Sequence, residues 1–479
     1  MVGICMAGAY VPRYRLSREK IFQAMGWLNP ATRSLARGQK AVANYDEDSV
    51  TMAVSAAMEC RIEREKADCL YFASTTMPYQ ERQNAGIIAT ALGMREDVRT
   101  ADFTGSLKAG TTALISALET VVAGGCNSIV VCASDCRLAK MGGQEEMFFG
   151  DGSAAAIVGK DDVIAEYKGS FSLSVDFVDR FRTPSSPFGR AWEDRWIRDA
   201  GYDKIIPRAL NSFLKKYDLK LEDFSKVLYC CPYPSERRKL NKKLGLKEDQ
   251  IQNFLMERVG DTGVAQPLVM LASVLENARA GDNILLLSYG NGCDAIWFEV
   301  TDSIGRLKES RPLEKSLDAG VELDPYEKYL VWRDVVPFEA GLRAEHNPPV
   351  RWSLVWRLRR AILGFCGSRC TRCGTPQFPP QRVCVNPACG AIDEMEDYYF
   401  SDKEGKVASF TGDNLAATVN PPQIYGHVLF EGGGKVLMDF TDCNLDTLHV
   451  GMPVTPVFRV KDYDRVRGTT RYGWKVKPV

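Results

Sequence analysis

Four cysteines in the last third of the chain have the spacing of a metal site. Cys370-Thr-Arg-Cys373 is followed, after ten residues, by Cys384-Val-Asn-Pro-Ala-Cys389-Gly390. Two close pairs on Gly- and Pro-containing knuckles can bring four thiolates to one ion, the donor set of tetrahedral zinc. Such a zinc is structural, because a catalytic one keeps a coordination position open. The chain has fifteen cysteines but three histidines, His346, His427 and His449, so residues 1 to 345 contain none. That region cannot supply a Cys–His nucleophile pair of its own. Phenol, carboxylate and thiol remain for proton transfer there: Tyr79 in Thr75-Thr-Met-Pro-Tyr79, Tyr233 after Cys230-Cys231-Pro232, Tyr289 before Gly290-Asn291-Gly292, and Asp261. Cys230 ends an apolar run, a setting that raises a thiol above its unperturbed value of about 8.5. The Gly-flanked turn Gly290-Asn291-Gly292 can present backbone N–H groups to an oxygen that is gaining negative charge. Asp135 and Asp151 read as turn formers, and Thr104 and Ser106 as helix N-caps.

These groups need a scaffold, and its centre is the stretch Ala101 to Asp135. It reads as a turn of small residues, a helix almost without charge, a Gly-Gly stop and an apolar strand. A helix apolar all round is buried, and its N-terminus offers free N–H groups at the positive end of the helix dipole. The residue at that tip is Leu107, which cannot be acylated. Further strands are expected at Cys69–Ala73, Ser128–Ala133, Ala154–Val158, Lys226–Cys231 and Asn283–Ser288, with helical patterns between several of them. Ser116-Ala-Leu-Glu119, Ala123-Gly124 and Ser128-Ile-Val-Val131 are echoed by Ser273-Val-Leu-Glu276, Ala280-Gly281 and Asn283-Ile-Leu-Leu286, about 155 residues later. The expectation is a duplicated α/β fold with a pseudo-twofold axis and the two helices face to face at its centre.

The division expected is residues 1–302 for this domain, 303–360 for a linker and a Trp- and Arg-rich helical arm, 361–395 for the zinc ribbon and 396–479 for a small all-β barrel. Five short runs, Lys406–Thr411, Ile424–Phe430, Lys435–Asp439, Val454–Val460 and Tyr472–Val476, suit a barrel of OB type. Lys461, Arg465, Arg467, Arg471, Lys475 and Lys477, with Tyr463, Tyr472 and Trp474, have the makings of a nucleic-acid groove, but a solvated rim is the simpler reading. A formal net charge of zero also argues against a dedicated nucleic-acid binder. No apolar run approaches the ~18 residues of a membrane span, and the N-terminus lacks a signal-peptide layout, so a cytoplasmic protein is expected.

Several motifs resemble one family. Ala9-Tyr-Val-Pro-Arg-Tyr-Arg15, Asp46-Glu-Asp-Ser-Val-Thr-Met-Ala53, Leu107-Lys-Ala-Gly-Thr111, Gly150-Asp-Gly-Ser-Ala-Ala155, Val259-Gly-Asp-Thr-Gly263 and Ser288-Tyr-Gly-Asn-Gly292 resemble, in order, the HMG-CoA synthase branch of the thiolase superfamily. Tyr326 to Arg333, the four cysteines, Phe378-Pro-Pro380, Gly451-Met-Pro-Val454 and Phe458-Arg459 resemble the zinc-ribbon and OB-fold domain that accompanies thiolase-fold enzymes acting on acyl-CoA. The resemblance implies a thiolase-like fold, a coenzyme A thioester as substrate and a homodimer. It also implies that Leu107 stands where the family carries its nucleophilic cysteine, Thr75 where it carries a glutamate, Cys230 a histidine and Asp261 an asparagine. Without an acyl-enzyme the expected reaction is aldol or retro-aldol chemistry, that of a lyase, with Tyr79, Tyr289 and Asp261 moving protons. The oxyanion and substrate site then comprises Gly290, Asn291, Gly292, Leu107 and Thr75. Two alternatives stand beside it: a non-catalytic acyl-CoA-binding scaffold that partners an active thiolase subunit, and an HMG-CoA synthase-like acyl transferase with its thiol relocated to Cys230 or Cys231. Arg180, Arg182 and Arg190 lie in a loop where they can meet CoA phosphates or simply solvent.

Overall fold

A computed structural model of the chain describes residues 1–339, 341 and 350–479; His346 lies outside the described residues. The N-terminal part is built on a nine-stranded sheet of β1 (Gly3–Tyr10), β2 (Cys69–Ala73), β3 (Arg99–Phe103), β4 (Ile129–Asp135), β5 (Gly152–Gly159), β6 (Ala165–Ser174), β7 (Lys226–Tyr229), β8 (Asn283–Tyr289) and β9 (Gly292–Val300). The order across it is β7-β8-β9-β6-β1-β5-β4-β2-β3. Outward from the β6–β1 pair, each side adds two antiparallel neighbours and then a parallel one: β5, β4, β2 on one side and β9, β8, β7 on the other. This is the duplication that the repeat implied. β3 extends one side only.

Strand residues alternate between two helical layers, as a period of two requires. On one face Leu70, Phe72, Val130 and Cys132 pack with α1 (Ser49–Glu59) and α2 (Asn84–Ala91). Cys69, Ala73, Ile129, Val131 and Ala133 point the other way, onto α3 (Ala109–Val122). On the opposite face the amphipathic α4 (Asp203–Tyr217) covers β9, β6 and β8, while α5 (Gln266–Leu275) shares the α3 cluster. α3 and α5 lack charge along most of their length because each is enclosed by the sheet and by the other. Gly110 permits that approach, since a Cβ there would lie 2.6 Å from the Val264 carbonyl oxygen.

The stretch read as a linker carries two short helices, Gly305–Ser310 and Pro312–Asp318. The second is held by Glu276, whose carboxylate accepts the Leu313 amide at 2.7 Å. Next comes α6 (Tyr326–Trp332), clamped to the first domain at both ends. Tyr326 donates to Glu146 Oε1 at 2.7 Å, and Arg333 pairs with buried Asp151 at 2.7 Å. Beneath this helix Lys40 Nζ donates to the Glu146 carbonyl at 2.9 Å. Burial holds the Lys40 ammonium down to about 8, against the charges of Glu146 and Asp151. An unfolded lysine titrates near 10.4, so between the two values the unfolded chain binds more protons and stability rises with pH. The stability gap between Lys40→Met and wild type, read by denaturant unfolding, is therefore expected to change steadily from pH 8 to 10 and to level off below 8.

After α7 (Trp352–Arg357), β10 (Cys366–Cys370), β11 (Pro376–Gln377) and β12 (Met395–Tyr399) form the ribbon sheet. The barrel comprises β13 (Gly405–Asp413), β14 (Gln423–Phe430), β15 (Lys435–Asp439), β16 (Pro453–Asp464) and β17 (Thr469–Pro478), in the order β15-β14-β13-β16-β17. A parallel bridge between Phe440 and Val476 brings its ends together. The barrel docks through buried charge. Arg459 meets Glu47 Oε1 and Asp442 Oδ2 at 3.0 Å each, and Lys475 meets Asp46 Oδ2 at 2.9 Å. Tyr472 donates to Asp48, and Trp474 Nε1 to the Leu363 carbonyl at 2.6 Å. The basic groove is therefore absent from this face. Lys475, Tyr472 and Trp474 are consumed in docking, while Lys461, Arg465, Arg467 and Arg471 pair with Asp439, Asp334, Asp464 and Asp462. Among the described residues no helix is long and apolar enough to cross a membrane.

Candidate functional site

At the tip of α3 the chain encloses a cavity of about 10 Å³, lined by Leu107, Arg180, Cys230, Asp261, Ser288 and Tyr289 among others. That is room for about one water molecule. Six segments converge here: the turn before α3, the loop after β6, the turn ahead of α4, the end of β7, the stretch leading into α5, which carries Asp261, and the end of β8. Leu107 offers only hydrocarbon. Burial, and then the nearby Asp261 carboxylate, push the Cys230 thiol well above its ordinary value, so the cavity contains no ready thiolate.

Asp261 is the ionised carboxylate of the wall. Burial acts to raise its carboxyl, but the guanidinium groups of Arg137, at 3.1 Å, and Arg180, at 3.9 Å, prevail and hold it below the usual carboxylate value. Tyr289 is the opposite case: burial, and the Asp179 carboxylate beside it, push the phenol far up, so it stays protonated. Tyr289 Oη, Ser288 Oγ, Asp179 Oδ2 and Arg180 Nε are all buried without a hydrogen-bond partner among the described residues. Asp179 lies close to Tyr289 yet short of hydrogen-bonding geometry. Buried polar atoms are almost always paired, so this grouping marks a place for a polar ligand or water. The roof is a single π-helical turn, Ile197–Tyr202, a form that often marks functional sites. A Cβ on Gly201 would lie 2.5 Å from Tyr289 Oη, and the Tyr202 and Tyr289 rings have centroids 4.4 Å apart.

Several expectations require correction. Tyr79 lies away from the cavity: its hydroxyl donates to the Thr470 carbonyl at 3.0 Å and accepts from the Thr470 amide at 2.9 Å, which fastens it to the barrel. Gly290-Asn291-Gly292 is a closely packed β8–β9 turn. The Gly290 amide is spent on Gly292 O at 3.0 Å, and a Cβ on Gly290 would stand 2.7 Å from the Lys108 nitrogen, so this glycine serves close packing against the α3 tip. Asn291 takes the left-handed conformation, φ 47°, and its amide nitrogen reaches the Phe177 carbonyl at 3.4 Å. Ser106 Oγ accepts the Lys108 amide at 3.3 Å just ahead of α3 and also donates across to Gly290 O at 2.8 Å. Thr75 flanks the cavity without lining it, bound through its amide at 2.7 Å and its hydroxyl at 2.9 Å to Asp135. Asp135 is no surface turn former. Wholly buried, it also accepts from Ser74 and the Val264 amide, tying the Thr75 loop to the turn before α5.

Arg137, Asp179 and Ser288 are site residues that sequence reasoning missed. Nothing local distinguishes a buried Arg–Asp pair from a solvated one. Arg180 was placed in a loop, but its guanidinium is buried in the wall. Arg182 instead donates to the Thr75 carbonyl. Beside the tip, Lys108 and Asp294 pair at 2.8 Å, and Thr111 and Thr112 donate to the other Asp294 oxygen at 2.9 and 3.0 Å. The Lys108 charge is thus neutralised and not offered to the cavity.

The second candidate site is the cysteine cluster. The Sγ atoms of Cys370, Cys373, Cys384 and Cys389 all lie within 4.8 Å of one another, with Cys373–Cys384 at 3.5 Å and Cys370–Cys389 at 3.8 Å. A tetrahedron of ~2.3 Å Zn–S bonds spaces its sulfurs by about 3.8 Å, so the donor set and its spacing fit one zinc ion.

Comparison with known proteins agrees with both parts of the chain. Residues 398–459 match a family model described as the ChsH2 C-terminal OB-fold domain. The hydroxymethylglutaryl-CoA synthase of Methanopyrus kandleri is 32% identical over 320 residues, covering 65% of this chain and 91% of that protein. Its counterpart from Methanocaldococcus jannaschii is 31% identical over 323 residues, 65% of this chain and 92% of the relative. A crystal structure of HMG-CoA synthase complexed with CoA superposes with a TM-score of 0.63 at 22% identity, covering 71% of this chain and 90% of the other, which speaks for the fold.

Proposed function

The chain belongs to the hydroxymethylglutaryl-CoA synthase family, and from that premise we propose that it makes or breaks a carbon–carbon bond in a coenzyme A thioester by aldol or retro-aldol chemistry, without an acyl-cysteine. The observation that carries this reading is the chemistry of the cavity wall. It joins an ionised carboxylate, Asp261, to protonated hydroxyls, Tyr289 and Ser288, around hydrocarbon at Leu107. Aldol chemistry needs a proton acceptor, a proton donor and a place for the thioester oxygen, and no covalent intermediate. In this reading Asp261 accepts the proton, and Tyr289 with Ser288 donates to the oxygen that becomes negative. The acyl-transferase alternative asks Cys230 for a thiolate that burial opposes.

Charge balance narrows the substrate. Arg137 and Arg180 are matched by Asp261 and Asp179, and Lys108 by Asp294. A substrate carboxylate entering this wall would be buried without a counter-charge, which is costly. The reacting end is therefore assigned as an uncharged hydroxyl, aldehyde or ketone.

The scaffold reading has one observation in its favour: the cavity admits about one water, too little for a thioester. A single experiment separates the three. The protein is incubated with a panel of β-hydroxyacyl-CoA esters and with acetyl-CoA, and both protein and products are read by mass spectrometry. Release of aldehyde or ketone with no mass added to the protein supports aldol chemistry. Binding without turnover favours the scaffold that partners a thiolase subunit, and an acyl adduct on Cys230 sinks both.

The four ribbon cysteines would hold one structural zinc, locking two knuckles together in a cytoplasmic, reducing setting where their thiolates persist. Metal analysis is expected to give one zinc per chain from the ribbon, lost in Cys370→Ser. β3 ends the sheet with one free edge, and a second copy pairing along it is the homodimer of this reading. A monomer mass in sedimentation would refute that assembly.

A further inference from the structure

Away from the cavity, two thiols face each other more closely than the paired sulfurs of the ribbon. Cys69 Sγ and Cys126 Sγ are 3.1 Å apart, 57 residues distant in sequence. That is about 1 Å beyond a disulfide bond of ~2.05 Å. Cys69 opens β2 and is fully buried, whereas Cys126 is 7% exposed in the turn from α3 to β4, just after exposed Gly124 and Gly125.

The approach is fixed by the neighbours of both residues. Asp68, adjacent to Cys69, accepts the Asn127 amide at 2.8 Å and the Ser128 amide at 3.2 Å, and the Asp68 amide donates to Ser128 O at 2.9 Å. The segments carrying the two cysteines are thereby held in register. Arg99, on the other side, donates to Gly125 O at 3.2 Å and lays its guanidinium against the Cys126 sulfur. Cys126, the less buried of the two sulfurs, is the one an oxidant reaches first. Neither thiol has a part in the cavity.

We propose that Cys69 and Cys126 form a redox-modification site, closed to an intramolecular disulfide by exchange with a small-molecule disulfide such as oxidised glutathione. The Cys126 thiolate attacks one sulfur of the oxidant, breaking its S–S bond and expelling the first glutathione thiolate. Cys69 then loses its proton and attacks Cys126 Sγ, expelling the second. Two protein thiols are oxidised and one small disulfide is reduced to two thiols, the two protons passing to the products at equilibrium. Burial holds the Cys69 thiol up to about 11, which makes Cys69 the second attacker. The closed loop contains Thr75, Tyr79, β3, Leu107 and α3, so oxidation would fasten the segment that carries the cavity tip.

The full-length protein, zinc content checked, is treated with oxidised glutathione, alkylated without reduction, and mapped by proteolysis and mass spectrometry. The expected product has lost two hydrogens, carries a Cys69–Cys126 linked peptide, reverts with dithiothreitol and unfolds at a higher denaturant midpoint than the reduced form. Cys69→Ala should stop at a mixed disulfide on Cys126, and Cys126→Ser should gain neither adduct nor midpoint shift. Complete alkylation of both residues after oxidation, or a new linkage confined to other cysteines, would overturn the proposal. So would a Cys69–Cys126 bond that forms only in denaturant.

Discussion

Replacing Arg459 by alanine should cost about 3–5 kcal/mol of stability, the range for removing one partner of a buried ionic cluster. Its side chain is fully buried, with Glu47 and Asp442 at 3.0 Å, Asp46 at 3.6 Å and the Tyr10 hydroxyl at 3.3 Å. Removing it leaves three carboxylates facing one another, with Lys475 as the neighbouring buried cation. Burial already raises the Glu47 carboxyl despite Arg459, so Glu47 would take up a proton in the variant. Arg459→Lys is expected to recover little, because a point charge cannot reach several acceptors as a planar fork does. Arg465→Ala serves as the comparison: its pair with Asp334 is exposed on both sides, and such pairs contribute at most about 1 kcal/mol. Denaturant midpoints of the three variants decide the matter, and equal losses in Arg459→Ala and Arg465→Ala would refute the cluster's role.

Asp261→Asn should reduce turnover by about 10²–10⁴-fold, the usual contribution of a positioned acid or base. Tyr289→Phe should do the same through loss of the donor. The pH profile tests the assignment independently. Asp261 is held below the ordinary value of about 3.9, so as a base it remains charged throughout the neutral range, and the acid limb it produces lies below that value. The same shift contributes stability that is present above the unfolded value and is lost as pH falls through the lower folded one. Arg137→Gln removes the nearer guanidinium and should move the acid limb upward while leaving a basic limb in place. An acid limb that stays put in Arg137→Gln would remove Asp261 from the role of base.

Reading the sequence recovered what is local. β2 and β15 were found with the bounds they have, because apolar or alternating runs between turn residues are a short-range signal. The four cysteines were found because their ligand spacing is local too. β3 was missed: Arg99-Thr-Ala-Asp-Phe103 has no apolar run, being an edge strand whose side chains are partly exposed. The cavity was half legible. Leu107, Cys230, Asp261 and Tyr289 were named and do converge, whereas Tyr79 was drawn in by its loop and turned out to serve the barrel. Arg137 was out of reach, and Arg180 was read only as a loop residue, because burial of an arginine is decided by partners far away in the sequence. Asp135 shows the same limit, since its acceptor role depends on two loops brought together only by the folded sheet.

The barrel's docking bears on how this chain can be divided. Asp46, Glu47 and Asp48 come from the first domain, and Arg459, Lys475 and Tyr472 from the last. Cut anywhere in the connecting arm, the protein would yield one fragment with an unmatched acidic socket and another with an unmatched basic plug. Neither would be a comfortable solitary species. The connection makes their meeting intramolecular and fixes their ratio at one to one. An organism that carried these halves on separate genes would have to match their supply, and this chain has that matching written into its length.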